Sequence, residues 1–178
     1  MRKTFLFFMI TGTLAACNND TKVAGAGETK DEKAAVTFSM PVTYSSSFEM
    51  GDPKYSAMIV QGSWKDWADN NMDNMKSWVA DTLVAYQSNN IVARGPDSLM
   101  AQWKRERAMY SSATDSINAV MSVHSTDKNE NWVLVWATGY GTKLDGTKDT
   151  ASVMETWRIN KDGKADLLLQ YDRQTRKK

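Results

Sequence analysis

Two Asp-Gly pairs, Asp145-Gly146 and Asp162-Gly163, punctuate the last third of this 178-residue chain and constrain its fold class more than any other feature. Asp-Gly between apolar runs is a strong short-range hairpin signal. The tight turns that join adjacent antiparallel strands need positive φ, which glycine takes without a Cβ penalty. The pairs separate three runs, Trp132 to Lys143, Ala151 to Asn160 and Ala165 to Arg173. A fourth run, Ser116 to Ser125, precedes them across a polar turn at Asp127 to Asn131. The pattern predicts an antiparallel meander.

The residues upstream read as helices. Asp52 suits an N-cap and Pro53 a first helical position. Ala57, Val60, Trp64, Trp67 and Ala68 then fall on one side at helical spacing, opposite Lys54, Gln61, Lys65 and Asp69. This predicts an amphipathic helix of about four turns ending near Asn70-Asn71. A shorter helix is expected over Met72 to Val79 and a strand over Ala80 to Tyr86. A third helix opens at Gly95-Pro96-Asp97, with Leu99, Met100, Trp103 and Tyr110 on one face. Helices first and strands last predict an α+β fold, three N-terminal helices packed on a curved, mostly antiparallel sheet. No repeat at solenoid or propeller spacing is present.

The N-terminus speaks to location. Met1-Arg2-Lys3 is cationic, Phe5 to Ile10 is apolar, and the run closes in Leu14-Ala15-Ala16-Cys17. It is too short to span a bilayer, which takes about 20 apolar residues, and matches an export signal. Leu14-Ala15-Ala16-Cys17 resembles the lipobox of bacterial lipoproteins. The resemblance implies removal of residues 1–17 up to a lipidated Cys17, which anchors the chain to a membrane of the bacterial cell envelope. Residues 18–50 are polar and small enough to read as a flexible tether, with alternation from Phe38 to Tyr44 allowing a short strand. The domain is expected over 51–178.

Composition removes several function classes. Cys17 is the only cysteine and His124 the only histidine. A lipidated Cys17 leaves no thiol, so disulfides, thiolate metal sites and cysteine nucleophiles are not expected. One histidine cannot build a multi-histidine metal centre. Losing Arg2 and Lys3 takes the basic count from 22 to 20 against 21 acidic residues, a mature charge near −1. With no basic stripe, nucleic acid is not an expected partner. No metal and no cofactor are expected.

Several fragments, taken in order, resemble the NTF2-like superfamily, which includes SnoaL-like cyclases and ketosteroid isomerases. They are Trp64-Lys65-Asp66-Trp67, Val79-Ala80-Asp81-Thr82, Arg94-Gly95-Pro96-Asp97, Glu155 to Lys164, and Gln170-Tyr171-Asp172. The resemblance implies a cone-shaped α+β domain, and this fold carries many functions. In the isomerase branch a carboxylate base works beside a phenol and a neutral carboxylic acid, an arrangement that is itself a standard illustration of carboxyl pKa tuning. Those positions fall here on Tyr86, Gly62 and Glu155. A phenol with an ordinary pKa of about 10 is no base at neutral pH, and glycine donates nothing from a side chain. The isomerase mechanism is therefore not expected unless other residues take over these roles.

Strand parity places Glu155 with Val153, Trp157 and Ile159, where burial would raise its pKa. Glu155 is thus the candidate acid, set against the alternative of an ordinary glutamate paired with arginine or facing water. His124 reads as a strand-end histidine. The expected ligand pocket joins Trp64, Tyr86, Trp103, Trp136 and Glu155. Core filling is the ordinary role of most of the seven tryptophans.

Three functions follow. One is non-catalytic binding of a small apolar or aromatic ligand, or of a partner protein, at the envelope. Another is a SnoaL-like acid–base enzyme acting on a cyclic carbonyl substrate. The third is homodimerisation through the outer sheet face. A second titratable group beside Glu155 in a closed pocket favours the enzyme, and purely aromatic and aliphatic walls favour binding.

Overall fold

The computed structural model describes residues 37–174. The expected export signal, the lipidation at Cys17 and tether residues 18–36 lie outside the described residues.

Asp52 accepts from the Lys54 backbone N–H at 2.9 Å and Pro53 fills the first turn, so α1 (Pro53–Ile59) starts where the sequence predicts. The expected uninterrupted helix is not found. Val60–Lys65 winds as a π-helix before α2 (Asp66–Ala68). Within that wide turn Gly62 lies directly against the Trp78 indole, where a Cβ would meet the ring. A 3-10 turn (Met72–Asn74) leads into α3 (Met75–Trp78), which buries Met75 and Trp78. The third helix expected from the sequence is α4 (Gly95–Arg107), which buries Leu99 and Trp103.

Seven strands form one sheet: β1 (Phe48–Met50), β2 (Val79–Tyr86), β3 (Val92–Arg94), β4 (Tyr110–Ser125), β5 (Glu130–Lys143), β6 (Lys148–Ile159) and β7 (Ala165–Gln174). Their order is β1-β4-β5-β6-β7-β2-β3. Every neighbouring pair is antiparallel except β2 with β7. Gly146 and Gly163 hold φ of +83° and +76°, as the two Asp-Gly turns require. The fold class is α+β, as the sequence implies.

The inner face of the sheet carries the core. Val133, Val135, Trp157, Ile159, Leu168 and Leu83 pack there against Ile59, Met75, Trp78 and Leu99 from the helices. Trp157 meets Trp78 and Trp103 edge to face, with centroids 5.4 and 6.2 Å apart. The outer face is also apolar, because Val123, Trp132 and Leu167 pack there with Leu134 and Leu169.

Three departures from the sequence reading have local causes. β4 begins at Tyr110, six residues before the expected Ser116, because polar Ser111, Ser112 and Thr114 hide its alternation. β3 has only three residues, too few for a periodicity to register. The sheet also starts before the expected boundary at Gly51. β1 pairs Glu49 with His124, and the Tyr44 ring meets Trp132 at 5.5 Å. Ser45 Oγ, Ser46 N and Ser46 Oγ donate to Asp127 at 2.6, 3.0 and 2.8 Å. These donors hold the Asp127 carboxyl well below the usual aspartate range.

Gly62 supplies a direct test of this packing. Gly62→Ala forces its Cβ into the Trp78 indole, and overpacking of this kind costs about 1–3 kcal/mol. Urea unfolding should show a lower midpoint with an unchanged slope. An unaltered midpoint would mean that the helix and Trp78 are not packed this way.

Candidate functional site

One end of the inner sheet face is built from small residues. Gly139 and Gly141 on β5 and Ala151 on β6 stand where the other end carries Val133, Val135 and Trp157. Asp115 lies opposite Gly139 in the β4–β5 register, and a Cβ on Gly139 would stand 3.2 Å from Asp115 Oδ1. A Cβ on Gly141 would strike the Tyr110 ring. The missing side chains leave a half-open cavity of about 190 Å³ between sheet and helices. Trp64, Trp67 and Trp103 wall it from the helical side.

Glu155 sits at the inner end of this cavity, 2 % exposed. Ser63 Oγ and Trp157 Nε1 donate to its Oε2 at 3.1 and 2.9 Å, and Gln170 Nε2 donates to Oε1 at 2.9 Å. Gln170 is its cross-strand partner on β7, so sheet register sets this contact. Trp64 Nε1 approaches the same carboxyl outside hydrogen-bond geometry and has no other partner. Burial raises the Glu155 pKa, and the neutral donors only partly offset it. The expected acid position is therefore occupied by a desolvated carboxyl.

Asp115 shares the cavity. Burial first, and the charge of Glu155 second, push its pKa up to about 6, against a smaller opposing effect of Arg107. Its Oδ2 is buried without a hydrogen-bond partner. Arg107 is committed elsewhere, donating to the carbonyls of Trp67, Tyr110 and Ala68 at 3.2, 3.0 and 3.1 Å. Two further groups at the rim are shifted. Burial raises Glu106, which accepts from Asn89 Nδ2 at 2.9 Å. It also raises the Tyr110 phenol, which donates to Asp149 Oδ2 at 3.1 Å.

The fold that holds this cavity resembles that of several solved structures. An M. tuberculosis LEH-like epoxide hydrolase is 14% identical with a TM-score of 0.54, covering 67% of this chain and 84% of its own. A SnoaL-like protein from Shewanella denitrificans, named as a polyketide cyclase, is 9% identical with a TM-score of 0.56, covering 68% and 92%. An NTF2-like protein of unknown function from Exiguobacterium is 15% identical with a TM-score of 0.54, covering 65% and 98%. The fold is NTF2-like. No protein-family model and no curated protein matches the sequence.

Within the NTF2-like frame, the expected site residues separate into two groups. Trp64, Trp103 and Glu155 line the cavity. Trp136 does not. It sits on the outer face, across from Ala119 and Met154. Tyr86 does not line it either and is 47 % exposed. Between Val79 and Val84, β2 advances five residues while β7 advances two, from Ala165 to Leu167. The odd excess switches the faces, so counting from Ala80 lands Tyr86 outside. Gly62, at the phenol position, is under Trp78. His124 bonds to Asn131 across the β4–β5 ladder, with Nδ1 3.0 Å from Oδ1, and does not line the cavity.

Asp115 is the residue that sequence reasoning missed. Starting the strand at Ser116 left it outside any element. Its parity with Ala113 and Ile117, both turned inward, carried the signal.

The raised Glu155 pKa has a definite consequence for stability. Stability tied to this carboxyl is fully present below its unfolded pKa of about 4.3 and is lost as pH rises through the higher folded value. Glu155→Gln removes that loss. Its melting temperature should match or exceed wild type at about pH 8 and converge with it, or fall below, near pH 4. Parallel melting curves across that range would contradict a raised pKa.

Proposed function

We propose that this protein is a lipid-anchored envelope protein whose NTF2-like cavity binds a small molecule and exchanges protons with it. Asp115 is the proton acceptor and Glu155 the donor. The observation that carries this reading is the pair of carboxyls in one cavity, both with raised pKa values. Two carboxyls sharing a desolvated site resist ionising together, so one is kept protonated while the other remains a base. The rise of Asp115 to about 6 includes repulsion from a charged Glu155, so beside a protonated Glu155 it is ionised at neutral pH all the more. Glu155 is almost fully buried, and that burial raises its pKa against the pull of its neutral donors. A second titratable group beside Glu155 supports the acid–base reading, although the cavity is half-open rather than closed. The aromatic walls support the alternative, a cavity that binds without chemistry. Location at the envelope is supported by Leu14-Ala15-Ala16-Cys17.

The acid–base reading is tested without knowing the substrate. With ¹³C-labelled side-chain carboxyls, one aspartate should titrate near 6, and its signal should be missing from Asp115→Asn. If Asp115 titrates near the ordinary value of about 3.9, it is no poised base and the proposal fails.

The anchor is tested by fractionation. Cys17→Ser should move the protein from the membrane pellet to the soluble fraction with its melting temperature unchanged. Retention of the variant in the pellet after a carbonate wash would refute lipid anchoring.

A further inference from the structure

We infer that the ligand of this cavity carries a positive charge and is a compact amine or quaternary ammonium. The inference deepens the small-molecule reading proposed above and rests on it.

The charge of the lining is one-sided. Glu106, Asp115, Asp149, Glu155 and Asp172 all contribute to the cavity wall, and among the described residues no lysine, arginine or histidine does. Within that wall, Asp149 has an ion pair with Lys143 at 3.4 Å. Glu106 and Glu155 accept from neutral amide, hydroxyl and indole donors. Asp115 Oδ2 is buried with no donor. A buried carboxylate oxygen without a donor is costly, and a ligand that supplies a positive charge or an N–H removes the cost. An anionic ligand would add repulsion. A neutral carbonyl compound brings Asp115 neither an N–H donor nor a counter-charge.

The walls point to the same class independently of the carboxyls. Trp64, Trp67, Trp103 and Tyr110 present aromatic surface to the cavity, and electron-rich ring faces attract ammonium groups. Trp67 already takes one cation in this way, with the Arg107 guanidinium 5.8 Å from its ring centroid. Size narrows the class. An apolar cavity of about 150 Å³ holds benzene, so a space of about 190 Å³ suits one ring or one substituted ammonium centre.

Choline and its neutral isostere 3,3-dimethylbutan-1-ol differ at the quaternary centre only by nitrogen for carbon, and so isolate the charge. Calorimetric titration of the folded protein should give choline at least a tenfold lower Kd at about pH 8, a difference of about 1.4 kcal/mol. That advantage should shrink as pH falls through about 6, where Asp115 takes up its proton beside Glu155. Asp115→Asn should cut the advantage at least about threefold at pH 8 while its own melting temperature confirms folding. Equal or tighter binding of the alcohol overturns the inference and leaves the acid–base pair standing. Failure of choline to bind at millimolar concentration overturns it too, as does a charge preference unchanged in Asp115→Asn. The titration of Asp115 decides the acid–base reading separately.

Discussion

Glu155 is a carboxyl held out of water inside a tryptophan-rich core, and much of the domain is arranged around it. Ser63 comes from the π-helical turn, Trp157 from β6 itself and Gln170 from β7. Three elements therefore converge on two oxygen atoms. Each donor is neutral, so the shell satisfies hydrogen bonds without supplying a counter-charge, and burial decides the pKa. An arginine in the shell would have made the same residue an inert ion pair. Its absence from the cavity lining leaves the carboxyl responsive to whatever enters.

The cavity beside it exists through the omission of side chains. Gly139, Gly141 and Ala151 leave volume that a regular alternation of valines would have filled, and Tyr110 and Asp115 occupy part of it. Towards the other end of that face Trp157 packs edge to face with Trp78 and Trp103 from the helices. A site of this kind trades stability for reactivity, as active-site carboxyls generally do.

The architecture was largely legible in the sequence. Two Asp-Gly turns, the Asp52-Pro53 helix start and the alternation around Trp157 each encode local geometry and depend little on distant contacts. Glu155 was legible because strand parity groups it with Val153, Trp157 and Ile159 and the family resemblance places that position inward. Trp136 and Tyr86 were not, and both failures are matters of register. Trp136 shares the outer face with Leu134 on a strand that is apolar on both sides, so hydrophobicity could not say which face was inside. The Tyr86 position depends on the irregular pairing of β2 with β7, a long-range feature that no local count contains. Asp115 was hidden by the polar start of β4. The π-helical turn lies against an indole from a later element at Gly62, a contact that no local pattern contains.

The most direct test of the account is infrared spectroscopy of the carboxyl groups at about pH 6, where an ordinary glutamate with a pKa near 4.3 is ionised. The account predicts a carboxylic-acid C=O contribution that is lost in Glu155→Gln, separate from the contribution of Asp115, which titrates near 6 and is lost in Asp115→Asn. A spectrum in which Glu155→Gln removes only carboxylate intensity would show that Glu155 is ionised despite its burial, and would contradict the central claim.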